Sequence, residues 1–138
     1  SSMSYGNRLY FATESGFEQP SFNDQVSRTG WSWGCTTFDI DNDADSDIYV
    51  VNGHQSGKSV QDYCTTFWCH DIYTGRSQTD SSVEQLFSKT MDKLIKREIS
   101  WNGFEHNALL MNRGKKGFLE LGFLMGIAFE GDGRVVLS

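Results

Sequence analysis

The stretch FDIDNDADSDIYVVNG, residues 38 to 53, sets an aspartate at every second position from Asp39 to Asp47 and then runs into apolar residues. A regular strand would carry Asp39, Asp41, Asp43, Asp45 and Asp47 on one face, neighbouring carboxylates about 7 Å apart, with nothing to offset their repulsion. A backbone that curls instead brings several of the oxygens toward one point. That arrangement suits a hard cation: Ca2+ takes about six to eight oxygens at about 2.3–2.6 Å, whereas Mg2+ usually accepts only one or two carboxylates. On this reading Asp39, Asp41, Asp43 and Asp47 are side-chain ligands, and Asp45 offers its backbone carbonyl, as the seventh position does in other calcium loops of this spacing. The competing reading is an acidic, solvated turn without metal.

The loop is not an EF-hand, because its twelfth position is Val50 rather than glutamate and its flanks read as strands rather than helices. Such loops usually place glycine at the sixth position, where the chain turns sharply. Here that residue is Ala44, whose Cβ opposes a positive φ, and weaker binding is the expected consequence.

Around the loop the chain is mostly short strands. NRLYFA (7 to 12), WGCTTFD (33 to 39) and DIYVVN (47 to 52) are rich in β-branched and aromatic residues and bounded by turn formers. NALLMN (107 to 112), GFLEL (117 to 121) and GRVVLS (133 to 138) read the same way, with NRGKKG as a hairpin turn between the first two. Residues 81 to 99 break the pattern. Val83, Leu86, Phe87, Met91, Leu94, Ile95 and Ile99 recur at three- and four-residue spacing, and Ser81 with Glu84 fits a capping box, so the spacing predicts an amphipathic helix packed on the sheet. Residues 54 to 80, rich in Gly, Ser, Thr, Gln and Asp, read as a long loop.

The chain also repeats itself. NRLYFATESGF (7 to 17) and NALLMNRGKKGF (107 to 118) share Asn-x-Leu at the start and Gly-Phe at the end, and in the same register GWSWGCTT (30 to 37) lies opposite GDGRVVLS (131 to 138). About one and a third repeats are present, and a second aspartate loop would begin where the sequence ends. The whole, residues 1–138, reads as one domain of mainly β (α+β) class. A first repeat with the loop spans 7–54, an insertion with the helix spans 55–106, and a second repeat starts over 107–138.

Composition narrows the function. A net charge of −6 leaves no basic face for a nucleic-acid duplex and suits cations better. No apolar run approaches the roughly 18 residues that span a bilayer, and SSMSYGNR has no secretory h-region, so the expectation is a chain not inserted in a membrane. Cys35, Cys64 and Cys69 are an odd set: Cys64 and Cys69 are placed to pair around CTTFWC if the protein is exported, and all three are thiols if it is not. Cys64, Cys69 and His70, with His54 and Cys35, form a weaker zinc pattern, because Cys-x4-Cys-His is not a usual spacing; a cysteine nucleophile served by His70 or His54 is the enzymatic variant. Trp31, Trp33, Phe67, Trp68, Tyr73 and Trp101 either pack in the core or line a carbohydrate or peptide groove, Trp68 being the one set in a polar loop.

GWSWGCTTFDIDNDADSDIYVVNGH followed by NALLMNRGKKGF resembles the FG-GAP or VCBS repeat of integrin-alpha-type β-propellers, and within it the ASPIC/UnbV-associated branch. The resemblance covers residues 7 to 54 and 107 to 138 and is most specific at the strand, Asp-x-Asp-x-Asp loop and strand. It implies propeller-blade-like antiparallel strands in an incomplete propeller, with Ca2+ held by Asp39, Asp41, Asp43, Asp45 and Asp47. It also implies a structural or recognition module of adhesion type and a secreted or cell-surface location; a protein or carbohydrate ligand is the expected partner, and apart from the resemblance Trp68, in its polar loop, and His54 are the candidate recognition residues. A ring needs several blades, so the chain belongs to a larger protein, caps its own sheet with the helix, or assembles from copies. Two alternatives stand beside it: a small Cys/His-based enzyme, and a self-associating domain that has lost metal binding.

Overall fold

The computed structural model describes residues 6–63, 81–96 and 98–137. They fall into two compact units, Ser1–Gly53 with Glu105–Ser138, and His54–Phe104. The class is mainly antiparallel β with helices, and among the described residues no barrel is closed.

The first unit is built on a four-stranded antiparallel sheet of β3 (Ser32–Phe38), β4 (Asp47–Asn52), β7 (Ala108–Asn112) and β8 (Phe118–Glu120), in that spatial order. It is preceded by a hairpin of β1 (Phe11–Thr13) and β2 (Gly16–Glu18) and by the short helix α1 (Asp24–Ser27). The second unit holds β5 (Ser59–Asp62), helix α2 (Ser81–Ile95) and β6 (Ile99–Ser100), with β5 and β6 parallel.

The register explains why β4 and β7 lie at the centre. Val50 pairs with Ala108 and Ile48 with Leu110, which puts these four on one face; Tyr49 pairs with Leu109 and points to the other. Both faces are apolar, unlike the half-solvated antiparallel sheet, so both need cover. On the first face Val26, Val50, Ala108, Leu110 and Phe118 form the core, flanked by Leu9, Phe22 and Ile48. Phe22 links the outlying hairpin to that core, with its ring 6.1 Å from Phe11 and 6.3 Å from Phe118. On the second face the chain after β8 lies over the strands: Leu121 N–H donates to Leu109 O (2.8 Å) and Tyr49 Oη–H to Ile127 O (2.8 Å). Leu109 is fully buried.

Both copies of the internal repeat form strand–turn–strand, but only the second joins the main sheet. Its turn closes on Gly117 at φ +80, where a Cβ would collide with Gln25 and Phe22, and Gln25 Oε1 accepts the N–H of Phe118 (2.7 Å). In the first copy Thr13 pairs with Gly16 across a tight turn and both strands are exposed.

Four expectations change. Residues 7 to 10 are not strand: Asn7 N–H donates to Ser27 O (2.9 Å) and Leu9 N–H to Asn23 Oδ1 (2.8 Å), spending their donors on α1 and its N-terminal flank. Residues 133 to 137 are not strand either. Gly133 N–H turns to Asn52 O (3.0 Å) and the Arg134 guanidinium lies 4.2 Å from the Trp33 ring centroid, so local contacts replace a ladder. The stretch 54 to 80 includes strand β5, and the helix stops at Ile95 rather than 99. Glu98 takes φ +54, and Ile99, which the periodicity places on the helix face, is buried in β6 instead. Leu86 on α2 is 68% exposed, so the apolar stripe is uncovered there. Among the described residues no helix is long and apolar enough to cross a membrane.

Where β4 ends, the fully buried Asn52 acts as a hub. Its side-chain oxygen accepts from Ser32 Oγ (2.9 Å), its amide donates to Thr29 O and His106 O, its N–H donates to Asn107 Oδ1 (2.9 Å), and its carbonyl accepts from Gly133. Truncation strands several buried groups at once, so Asn52→Ala is expected to cost roughly 1–3 kcal/mol, read as a lower urea midpoint at unchanged m.

Candidate metal centre

β3 ends at Phe38 and β4 begins at Asp47, leaving residues 39 to 46 to reverse the chain. The reversal is made by the aspartates themselves. Asp39 accepts from two backbone donors, Asp43 N–H at Oδ1 (3.1 Å) and Ala44 N–H at Oδ2 (3.0 Å), and Asp43 Oδ1 accepts from Asp45 N–H (3.0 Å). Short side chains that bond backbone a few residues on are what hold a turn of this kind. The curl needs left-handed backbone at two places, Asn42 with φ +61 and Ala44 with φ +71. Asparagine tolerates this conformation; alanine is strained in it by about 1 kcal/mol.

The result gathers three of the five aspartates. One carboxylate oxygen each from Asp39, Asp41 and Asp43 lies within 4.8 Å of the others, and all three residues are exposed. Oxygens that each sit about 2.4 Å from one ion are separated by no more than about twice that distance, so the triad fits a single hard cation such as Ca2+. Asp45 adds a buried side-chain oxygen, Oδ1, that has no hydrogen-bond partner.

Asp47 is placed differently. It is fully buried, and its oxygens accept Ile40 N–H at Oδ2 (2.9 Å) and Asn112 N–H at Oδ1 (2.8 Å). Asn112 returns the contact by donating from Nδ2 to Ser46 O (3.2 Å). Asp47 therefore fastens the loop to β7. Sequence reasoning passed over Asn112; the signal was an asparagine closing a strand ahead of a turn, a position where its short amide reaches neighbouring backbone.

Crowding has an electrostatic cost. The Asp41 carboxyl is pushed above its ordinary value of 3.8, first by desolvation in the folded-back loop and then by the charge of Asp43, against a favourable backbone hydrogen bond. Asp45 is raised in the same order of causes, desolvation and then Asp43. A cation among the oxygens would offset both effects.

Of the other candidate residues, Trp33 and Cys35 lie on β3, and His54 and Trp101 belong to the second unit. His54 donates its backbone N–H to Asn102 O (2.9 Å) and its ring lies 6.3 Å from that of Trp101, in the second unit. Trp101 is stacked on Tyr63 at 4.1 Å and 4°, and Trp33 is overlaid by Arg134, so one face of each ring is taken. Cys35 is a free, exposed thiol on β3. Cys64, Phe67, Trp68, Cys69, His70 and Tyr73, with the disulfide, zinc, nucleophile and recognition readings placed on them, lie outside the described residues. Comparison of the chain with protein-family models, curated proteins and solved structures finds no match.

Two outcomes follow for the metal-free protein. Ala44→Gly should stabilise it by about 1 kcal/mol, measured by urea unfolding in chelator, because glycine accepts φ +71 without a Cβ clash. For Asp41, a folded-state value above the unfolded one means the native state binds more protons, so its penalty is present above the raised value and vanishes as pH falls toward 3.8. Asp41→Asn should therefore stabilise the metal-free protein at neutral pH, with the advantage shrinking on acidification.

Proposed function

We propose that the protein is a calcium-binding structural or recognition module of the FG-GAP/VCBS kind, with residues 39 to 47 as its metal loop. The observation that carries this reading is the gathering of Asp39, Asp41 and Asp43 oxygens within 4.8 Å on a loop between two antiparallel strands. Asp39, Asp41 and Asp43 supply carboxylate oxygens, and Asp45 lies beside them. Asp47 holds the loop's position from beneath through Ile40 and Asn112. Bound calcium would contribute positive charge that cancels the repulsion among these carboxylates. The four-stranded order β3-β4-β7-β8 suits a propeller blade, which is likewise a four-stranded sheet. Protein or carbohydrate recognition would then fall to surfaces displayed by such a blade, within a longer chain or an assembly of copies.

Thermal unfolding with calcium against chelator tests the reading. A ligand that binds only the folded state stabilises it by about 2.7 kcal/mol at a hundredfold excess over Kd, so the midpoint should rise with calcium concentration. Replacing Asp39, Asp41 and Asp43 together by Asn should abolish the rise. Asp47→Asn should destabilise the protein in chelator as well, by roughly 1–3 kcal/mol and with a lower midpoint, since it disturbs buried hydrogen bonds that need no ion. A wild-type midpoint indifferent to millimolar calcium would overturn the calcium reading and leave the self-associating domain that has lost its metal, which Ala44 at φ +71 would then explain.

A further inference from the structure

Residues 7 to 9 run beside β3 without pairing with it, because Asn7 and Leu9 give their N–H groups to Ser27 O and Asn23 Oδ1. A cavity of about 380 Å3 lies between this segment and the sheet. It is lined along β3 from Ser32 to Thr37, a stretch of strand roughly 17 Å long at about 3.4 Å per residue. At the Ser32 end the segment touches the strand, with Asn7 Nδ2 donating to Ser32 Oγ (3.2 Å). Among the described residues, none from 39 to 47 lines the cavity.

Two chemistries meet in its lining. The floor is aliphatic: Val26, Val50 and Leu110 are buried core residues, and Leu9 and Ile48 stand beside them. Walls of this kind gain dispersion contacts from a flexible chain laid against them, and the volume falls in the range of about 300–1,000 Å3 typical of small-molecule sites. Arg8 lines the same cavity and, among the described residues that do so, is the one carrying charge. Its guanidinium stays protonated and presents a fork of N–H donors that matches a carboxylate. A second guanidinium, that of Arg134, lies 4.2 Å from the ring centroid of Trp33, another lining residue. The chain as a whole carries −6, so a local positive site runs against the general charge and selects the sign of what enters.

We propose that this cavity is a binding site for a medium-chain carboxylate, its aliphatic tail on the floor and its carboxylate at Arg8. Charge complementarity sets the head group and the aliphatic floor sets the tail. A sugar would need many hydrogen-bonding partners, and two of the polar residues here, Asn7 and Ser32, are already bonded to each other. Cys35, an exposed thiol on β3, also lines the cavity and so reports on its occupancy. The site is independent of calcium.

Calorimetric titration in chelator with hexanoate, octanoate and decanoate tests the site, with decyltrimethylammonium as the probe of opposite charge. Binding should be one to one and should tighten about two- to fourfold for each added methylene, the fold-change that burial of one such group produces. Arg8→Gln should weaken decanoate binding about tenfold, the scale of a hydrogen bond to a charged group. Cys35→Phe, which sets a ring into the cavity from an exposed strand position, should abolish it. On the unaltered protein, decanoate should slow alkylation of Cys35, followed by mass spectrometry of the peptide that carries it, with the same concentration dependence as the heat. That second readout decides the matter if Cys35→Phe does not fold. No binding at millimolar decanoate, equal binding of the ammonium probe, undiminished binding by either folded variant, or alkylation indifferent to decanoate would each refute the site.

Discussion

A carboxylate removed from water is tolerated only when hydrogen-bond donors replace its hydration, and Asp47 meets that condition with two backbone N–H groups from opposite sides. One comes from Ile40, inside the aspartate loop, and the other from Asn112, at the end of β7. This pair of bonds joins the loop to a strand 65 residues away in sequence. It also bears on the neighbouring aspartates: with Ile40 held, one oxygen each of Asp39, Asp41 and Asp43 stays within 4.8 Å of the others, and their mutual repulsion cannot simply straighten the chain.

The sheet beneath imposes the second constraint. Because β4 and β7 are apolar on both sides, the segments before β3 and after β8 are drawn onto opposite faces. The polar cost of that layering is concentrated at the end of β4. Asn52 there takes up Ser32, Thr29, His106, Asn107 and Gly133 in one buried set of hydrogen bonds. These bonds also tie together the two chain ends, residues 53 and 105, between which the second unit is inserted, so β4 and β7 stay paired across a long excursion.

Much of this was legible in the residues. The strands at 32–38, 47–52, 108–112 and 118–120 follow β-branched and aromatic runs between turn formers, and the curl at 39–46 follows from like charges that no strand would align. Ala44 at a left-handed position was readable too, because the sixth place of such a loop demands that conformation. The errors share one cause: local pattern does not know which donors tertiary neighbours will claim. Residues 7–10 and 133–137 look like strands, but their N–H groups go to Ser27, Asn23 and Asn52. Ile99 continues the helical stripe by spacing and is buried in β6 instead.

By itself, then, the sequence determined the mainly β class, the position of the aspartate loop and Ala44 as one of its left-handed residues, since periodicity and charge repulsion are local properties. Only the tertiary structure decided how the five aspartates divide. Asp39, Asp41 and Asp43 gather at the surface and Asp47 is buried, because burial depends on Asn112, a donor brought in by the pairing of β4 with β7. Period-two spacing makes the five equivalent; a distant strand makes one of them structural.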